Sequence, residues 1–363
     1  MTPARPDSRD RPTLETIARQ LGVSRATVSN AYNRPDQLSS ALRERVFAAA
    51  AELGYPGPDP AARGLRRGRA GAVGVLICDR LSYAFTDPAA VVTLDGLASA
   101  LEGDGTGLLL LPGVEGGGPP PDLVRNAVVD GFVSYALAAD DPGLAAARAR
   151  ALPLVLVDHP ARRGEVAVTV DDAGGAAAVG EHLLALGHRH IAAVSFELGL
   201  DRRSGPADPA RVAAGTFVAP RERLVALARA FERAGAGAAA AFPIWECAHN
   251  GRPDGREAAT ALLAGDPRPT AIVALSDELA LGVLDAAADA GLDVPGNLSV
   301  TGFDDTPVAV LARPPLTTVR QPLHRKGEVA GRRLLDLVAG RRPARVRRLP
   351  TELVARGSTG PPR

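Results

Sequence analysis

Short apolar runs alternate with longer helical patterns through most of the chain from residue 72 onward. The first run, Val-Gly-Val-Leu-Ile at 73–77, is bounded by turn-forming residues. Comparable runs lie at 108–111, 131–134, 154–157, 166–170, 191–195, 271–275 and 298–302, and helical periodicity separates most of them at 94–101, 173–186, 221–233, 255–264 and 279–290. Apolar strands that alternate with helices predict parallel sheets covered by helices on both faces. About 290 residues are enough for two such subdomains.

Charge separates this body from the residues that precede it. The 363-residue chain has a net charge of +1, but residues 1–70 contain twelve arginines and seven acidic residues, which leaves a net −4 for the remainder. A small basic head on a mildly acidic body indicates that the head contacts a polyanion and that the body has another task. The alternative is an arginine-rich solvated surface without a partner.

The head has the periodicity of three short helices between residues 13 and 53. Thr13 can cap the first helix, which has an apolar face of Leu14, Ile17, Ala18 and Leu21 and can end at Gly22. Ser24 can cap a second helix directly afterwards. Two helices joined by so short a turn predict a helix-turn-helix unit, with an unrelated small helical bundle as the alternative.

Polar side chains of the second helix are suited to reading DNA. If the apolar side chains pack against the first helix, the groove-facing set is Ser24, Arg25, Ala26, Thr27, Ser29, Asn30 and Asn33. Arginine can form two hydrogen bonds with guanine, asparagine can pair with adenine, and hydroxyl groups can bind phosphate oxygens. The sequence of the head therefore predicts that double-stranded DNA is its partner.

Several functional classes are excluded or disfavoured by missing motifs. Cys78 and Cys247 are too few for a disulfide framework or a four-thiolate zinc site, and no apolar run is long enough to span a membrane. The single lysine, Lys326, belongs to no phosphate-binding loop, and neither a His-Glu-x-x-His nor a Gly-x-Ser-x-Gly motif occurs. We therefore predict a cytoplasmic protein without catalytic residues, metal or cofactor. An α/β enzyme and a solute-binding protein without a transcriptional role remain the alternatives.

A run of specific residues resembles the lac repressor/gal repressor (LacI/GalR) family. The segment 13–33 contains Val23-Ser24-x-x-Thr27-Val28-Ser29 followed by Asn33, and the segment 43–55 ends in Glu-Leu-Gly-Tyr. Downstream the similarity continues through Gly-His-Arg-His-Ile at 187–191, Gly-Phe-Asp-Asp at 302–305 and Pro-Leu-Thr-Thr-Val-Arg-Gln-Pro at 315–322. The resemblance implies a transcriptional regulator, expected to be a repressor, that binds operator DNA as a homodimer.

The resemblance also implies roles for residues of the head. Arg25, Ala26 and Asn30 match positions that read bases, and Leu65 matches a hinge-helix leucine that is wedged into the minor groove. The positions that contact the DNA backbone or adjacent bases are matched by Thr13, Ser24, Thr27, Ser29 and Asn33.

For the body, the resemblance implies a two-lobed α/β effector domain similar to type I periplasmic binding proteins. The expected arrangement is a headpiece at 12–57, a hinge helix and linker at 58–70, and an effector and dimerisation domain at 72–356. The first lobe is expected at 72–158 and 323–340, and the second at 160–318 and 345–356. Crossovers between lobes are then expected near 158–160, near 313–321 and before Val346.

A small effector, sugar-like on this resemblance, is expected between the lobes. Parallel sheets bind ligands at the carboxyl ends of their strands, which by itself selects Asp79, Asp158, His159, Asp277 and Asp304. The resemblance adds further positions, and the predicted effector site comprises Phe85, Asp87, Asp158, His159, Arg223, Trp245, Asp277 and Asp304. Carboxylates accept hydrogen bonds from hydroxyl groups, and an aromatic ring can cover the C–H face of a sugar. Trp245 could equally fill the core, and Asp304 could cap a turn.

Overall fold

The computed structural model describes residues 12–57, 69–114, 117–233 and 242–363. The chain divides into two compact units, with the boundary between Ala70 and Gly71. Each unit has its own apolar core. Within the described ranges, no helix is both long and apolar enough to cross a membrane.

The first unit is a three-helix headpiece. Its helices are α1 (Leu14–Leu21), α2 (Arg25–Asn33) and α3 (Ser40–Glu52), with a 3₁₀ turn at Pro35–Gln37. Thr13 and Thr16 form a reciprocal capping box, so a threonine hydroxyl replaces the Glu or Gln usual at its third position. Gly22 ends α1 with a φ of 67°, in the left-handed region that glycine occupies without strain. The helices pack around a core of Leu14, Ile17, Ala18, Val28, Ala31, Val46, Ala49 and Ala50.

The second unit has two α/β lobes, of which the first contains a six-stranded parallel sheet. In chain order its strands are β1 (Ala72–Ile77), β2 (Gly107–Leu111), β3 (Gly131–Tyr135), β4 (Leu154–Val157), β5 (Val166–Val170) and β12 (Val346–Leu349). Their order in the sheet is β12-β5-β4-β3-β1-β2. The accompanying helices are α4 (Tyr83–Thr86), α5 (Pro88–Glu102), α6 (Pro121–Asn126), α7 (Pro142–Ala149) and α14 (Leu323–Val338). Apolar clusters lie on both faces of the sheet, as the continuous apolar strands predict.

The second lobe contains a five-stranded sheet of β6 (Ile191–Ser195), β7 (Gly205–Pro206), β8 (Ile244–Glu246), β9 (Ala271–Ala274) and β10 (Ser299–Thr301). Their order in the sheet is β10-β9-β6-β8-β7. The helices are α8 (Asp172–Ala185), α9 (Pro209–Ala213), α10 (Val218–Arg233), α11 (Arg252–Leu263), α12 (Asp277–Asp289) and α13 (Pro307–Leu311). Among the described strands of this sheet, only β7 and β8 pair antiparallel.

The chain crosses between the lobes at positions that differ from those expected. Strands β5 and β12 both belong to the first sheet, where β5 pairs with β4 and β12 pairs with β5. The first crossover therefore follows β5 at Asp171, not 158–160, and the prediction that 345–356 lies wholly in the second lobe is wrong. The second crossover leads from β11 (Thr318–Arg320) to α14, and the third from β12 to β13 (Glu352–Val354). Strands β11 and β13 pair antiparallel beside the crossovers.

The segment 202–219, which its composition suggests is a loop, contains both β7 and α9. Arg211 in α9 forms hydrogen bonds from Nε and Nη2 to the two carboxylate oxygens of Glu246, at 2.7 and 2.6 Å. Glu246 is fully buried and also accepts a hydrogen bond from the backbone nitrogen of Leu198. This ion pair fixes the segment to the second sheet, which composition alone could not indicate.

Candidate functional site

Helix α2 exposes the residues predicted to read bases. Val28 and Ala31 are buried against the other helices, while Arg25 and Ala26 are exposed and Asn30 is partly exposed. Arg25 and Asn30 carry side chains that can reach the edges of bases, whereas Ala26 offers only a methyl group. The packing therefore presents the predicted reading residues on the outer face of the second helix.

Several predicted phosphate-binding residues also shape this helix. The Ser24 hydroxyl accepts a hydrogen bond from the backbone nitrogen of Thr27 at 3.0 Å and lies 2.8 Å from the Thr27 hydroxyl. Asn33 donates to the Ser29 carbonyl at 2.9 Å, which holds its amide at the end of the helix. Thr13 caps α1. Leu65 lies outside the described residues.

A cavity of about 90 Å³ lies between the two lobes of the body, beyond the carboxyl ends of the strands. Asp87, Asp158, Arg223 and Asp304 from the predicted set line this cavity. The residues that line it without having been predicted include Cys78, Tyr83, Tyr135, Phe196, Glu197, Phe217, Asn250, Ser276, Gln321 and Lys326. Four carboxyl groups and two cationic groups thus converge on one small space.

Lys326 organises the first-lobe side of the cleft. It is only 2% exposed, and its Nζ lies 2.5 Å from Asp158 Oδ2 and 3.3 Å from Gln321 Oε1. The other oxygen of Asp158, Oδ1, is buried and has no hydrogen-bond partner among the described residues. Since a buried unpaired acceptor is costly, this atom is a candidate for accepting a ligand hydrogen.

Arg223 and Asp304 form the opposite side. The Arg223 guanidinium donates to Asp172 Oδ1 at 2.7 Å and to the Leu275 carbonyl at 2.6 Å, and lies 3.6 Å from the centre of the Phe303 ring. Asp304 accepts a hydrogen bond from Gln321 at 2.5 Å. Burial raises the pKa of Asp304 above its ordinary value. Arg223 is therefore held by partners of its own lobe, including Asp172 at the start of α8.

Two cleft carboxylates have unusual backbone conformations. The φ angles of Asp158 and Asp304 are 54° and 121°, in the region that non-glycine residues seldom adopt. Such conformations cost about 1–3 kcal/mol each and occur often at ligand sites, where surrounding contacts hold them. Lys326 and Gln321 supply those contacts here.

Contacts between the lobes close the cleft. Asn250 of the second lobe donates to Asp87 Oδ2 at 3.3 Å, and Arg202 of the second lobe binds Asp79 Oδ2 at 2.9 Å. Asp79, selected from the strand-end rule, thus joins the lobes instead of lining the cavity. These two polar contacts must break when the lobes separate.

Four of the predicted effector residues do not line the cleft. Phe85 is 66% exposed on α4, and His159 is buried elsewhere with Nδ1 bound to the Pro160 carbonyl at 2.8 Å. Trp245 lies in β8 and faces the grooves formed by α9, α10 and α11. Asp277 is fully buried and accepts hydrogen bonds from Thr306 and Thr318, so its carboxylate supports the fold. These four residues thus lie outside the lining of this cavity, and a role for them in effector binding stays a prediction.

Comparison with known proteins identifies the class of regulator. The model of the lacI family of bacterial regulatory proteins matches residues 13–57, and a periplasmic binding protein-like domain matches residues 180–359. An HTH-type transcriptional regulator of Mycolicibacterium smegmatis is 42% identical over 99% of this chain and 100% of that protein. The chain belongs to the LacI family. It is a transcriptional regulator with an effector-binding domain, as its sequence predicts.

Solved structures of LacI-family regulators share this architecture. The lac repressor dimer bound to operator and the anti-inducer ONPF has a TM-score of 0.75 at 26% identity, covering 96% of this chain and 99% of that chain. The complex of the transcriptional regulator CelR with cellobiose has a TM-score of 0.69 at 28% identity, covering 96% and 100%. The predicted fold class, a helix-turn-helix headpiece followed by a two-lobed α/β domain, is confirmed.

Some of the cleft residues that the sequence analysis did not select lie just after the end of a strand, which is a signal visible in the sequence. Cys78 follows β1, Glu197 lies two residues after β6, and Ser276 lies two residues after β9. The rule that ligands bind at these strand ends applies to each of them. Lys326 has a different signal, because a single lysine in an arginine-rich chain is exceptional, yet only the structure shows that it meets Asp158.

Glu197 provides a test of the cleft's electrostatics. Burial raises the pKa of Glu197 to about 7, so the folded protein retains a proton that the unfolded chain releases at lower pH. The contribution of this group to stability is therefore lost as pH rises from the ordinary value of 4.5 to about 7, and no further loss follows above that value. We expect the free energy of unfolding of the effector-free protein to fall between pH 5 and pH 7, and to fall less in Glu197→Gln. Denaturant titrations at pH 5, 6 and 7 measure both slopes, and equal slopes would show that Glu197 ionises near its ordinary pKa.

Proposed function

We propose that this LacI-family chain is a repressor that acts as a homodimer on a pseudo-palindromic operator. The accessible side chains of α2 support this proposal, because Arg25 is exposed and Asn30 is partly exposed, and both can form hydrogen bonds with bases. Two-fold symmetry of a dimer would be mirrored in two half-sites of DNA. The lac repressor dimer bound to operator is a precedent among its structural neighbours.

We propose further that a small polar effector in the interlobe cleft changes operator affinity. The observation that carries this proposal is the convergence of Asp87, Asp158, Glu197, Asp304 and Lys326 on a cavity that the two lobes share. A ligand bound there contacts both lobes and so favours one relative pose over another. Control of operator affinity requires such a difference in affinity between poses.

Selection of bound DNA from a random pool by the full chain tests the operator proposal. We expect the enriched sequences to contain two inverted half-sites at a fixed spacing, because each protomer supplies one α2. Enrichment of single half-sites, or of no sequence at all, would contradict a dimeric sequence-specific regulator. The genes downstream of genomic matches then indicate the metabolism that supplies the effector.

The proposed minor-groove role of Leu65 rests on the family resemblance. Leu65→Gly is expected to abolish tight operator binding while effector binding by the same protein persists. Gel-shift titration and calorimetry on one preparation measure the two properties, and an unchanged operator affinity would refute the role.

We also propose that the chain has no enzymatic activity. Support comes from the relatives, which are named as transcriptional regulators over nearly the full length of this chain. The solute-binding alternative does not account for the headpiece, which matches the family's DNA-binding domain over 13–57.

A further inference from the structure

An arginine-rich segment at 341–348 leads from the end of α14 into β12, the edge strand of the first-lobe sheet. Five of its eight residues are arginines, although the body as a whole is mildly acidic. A tight turn at 162–165 carries two more arginines directly before β5, the strand that pairs with β12. The arginines of these two segments that form no ion pair with a described residue are named the arginine patch: Arg162, Arg163, Arg342, Arg345 and Arg347.

The backbone of this patch is fixed, whereas its charged groups are accessible. Arg333 of α14 donates a hydrogen bond to the Ala344 carbonyl. The backbone nitrogen of Ala167 in β5 donates to the Arg345 carbonyl at 2.7 Å. All five side chains of the patch are exposed, and none of their guanidinium groups has a hydrogen bond to a described residue. The patch is therefore a positive surface on a fixed backbone.

Like charges in this surface oppose one another. Burial, followed by the charge of the neighbouring Arg347, lowers the pKa of Arg333. A charged edge strand can prevent a sheet from pairing with other chains, but that purpose needs charges on β12 alone. It does not account for the exposed arginines before β5 and before β12. A polyanionic partner accounts for all five, because it would offset their mutual repulsion.

The patch lies at the end of the sheet where the chain enters the body. All strands of this sheet run parallel, so the amino ends of β1, β5 and β12 lie along one edge. Strand β1 begins at Ala72, directly after the boundary between the headpiece unit and the body. Four strand spacings separate β1 from β12, or about 19 Å. The effector cavity lies beyond the opposite, carboxyl ends of the strands, so the two sites are separate.

We propose that the arginine patch binds phosphate groups of the duplex DNA that flanks the site occupied by the headpiece. Guanidinium groups form paired hydrogen bonds with phosphate, and release of counterions adds a contribution that does not depend on sequence. Because headpiece and body belong to one chain, binding of the headpiece raises the local concentration of phosphates around the patch. The inference rests on the proposed operator binding and adds a DNA contact without base preference. The net charge of the body did not predict it.

Salt titration of the full chain on a long duplex of random sequence tests the patch without knowledge of the operator. The variant Arg342→Gln/Arg345→Gln/Arg347→Gln removes three charges. Each phosphate contact contributes about 0.9 to the slope of log affinity against log salt, so we expect the slope to fall by about 2–3 and the affinity at low salt to fall roughly tenfold or more. A wild-type slope in this variant would overturn the proposal.

A matched control removes the same net charge elsewhere. Arg203→Gln/Arg229→Gln/Arg268→Gln replaces three exposed arginines of the second lobe and should retain the wild-type slope. If this control loses as much slope as the patch variant, net charge and not the patch attracts DNA, and the proposal fails.

A second patch variant guards against a folding defect in the first. Arg162→Gln/Arg163→Gln changes only the turn before β5 and should lower the slope by about 1–2. Thermal melting is expected to show wild-type stability for both patch variants, because they lose like charges and no ion pair with a described residue. A wild-type slope in the folded turn variant would remove Arg162 and Arg163 from the site.

The operator obtained by selection separates this inference from the function on which it rests. The wild type should bind a fragment with flanking duplex more tightly than the operator alone, and the variant of the 341–348 segment should bind both equally with unchanged base preference. If an operator is found but neither slope nor flank dependence changes in the variant, operator binding stands and the patch fails. If the slope on random DNA falls in the variant but selection enriches no sequence, the patch stands and the operator proposal fails.

Discussion

Replacing Arg25 by alanine is expected to remove base preference at one position of each operator half-site while nonspecific DNA binding persists. Arg25 is the first residue of α2 and is exposed, and within the described ranges no ion pair holds its guanidinium. It is therefore free to form two hydrogen bonds with guanine in the major groove. Loss of such a contact costs roughly 1–3 kcal/mol of discrimination, or about 5- to 150-fold in relative affinity.

A base-substitution series measured by equilibrium binding at fixed salt checks this result. Arg45→Ala is the matched control, because Arg45 is an exposed arginine of α3 outside the reading helix. The control should retain the wild-type base preference. Its overall affinity can still fall, because the variant loses one positive charge that attracts DNA phosphates. If Arg25→Ala still ranks the substituted sites as the wild type does, Arg25 does not read a base.

Replacing Arg211 by alanine is expected to destabilise the effector domain by about 3–5 kcal/mol, the usual cost of breaking a buried ion pair. The change leaves the fully buried Glu246 without the two short hydrogen bonds of the guanidinium. Among the described residues, only the Leu198 backbone nitrogen would still donate to that carboxylate. Denaturant unfolding followed by circular dichroism measures the loss.

Two further variants test whether the unpaired charge of Glu246 causes this loss of stability. Arg203→Ala removes an exposed arginine of the same segment and should change stability by less than about 0.5 kcal/mol. Adding Glu246→Gln to Arg211→Ala should recover part of the loss, because a neutral amide is less costly to bury than an unpaired carboxylate. If the double variant is no more stable than Arg211→Ala, the uncompensated charge is not the source of the effect.

The candidate site was predictable where local rules are sufficient. Asp158 and Asp304 could be selected because parallel strands deliver the residues after them to a shared edge. The same rule selected Asp277, which follows β9 but is turned inward by Thr306 and Thr318. Those two partners are distant in sequence, so no local pattern reveals them. Trp245 lies in β8, which pairs with β6, and it lines grooves of the second lobe instead of the cleft.

The positions of the crossovers between the lobes also could not be predicted from local sequence patterns. Residues 166–170 have the apolar pattern of a buried strand, but that pattern does not state which sheet the strand joins. Hydrogen bonds from β5 to β4 and β12 place it in the first lobe and move the first crossover to Asp171. Strand β8 is only three residues long, too short to give a clear period.

By itself the sequence determined the class of the protein. Helical periodicity and capping residues defined the headpiece, alternating apolar runs defined the α/β lobes, and specific motifs indicated the LacI family. These features depend on neighbours within a few residues, which the sequence contains directly. The tertiary structure alone decided which charges meet, because Lys326 reaches Asp158 across 168 positions and Arg223 reaches Asp172 across 51. Among the described residues, Asp158 Oδ1 and Glu197 Oε2 have no hydrogen-bond partner, and these atoms together with the long-range pairs determine the chemistry of the cleft.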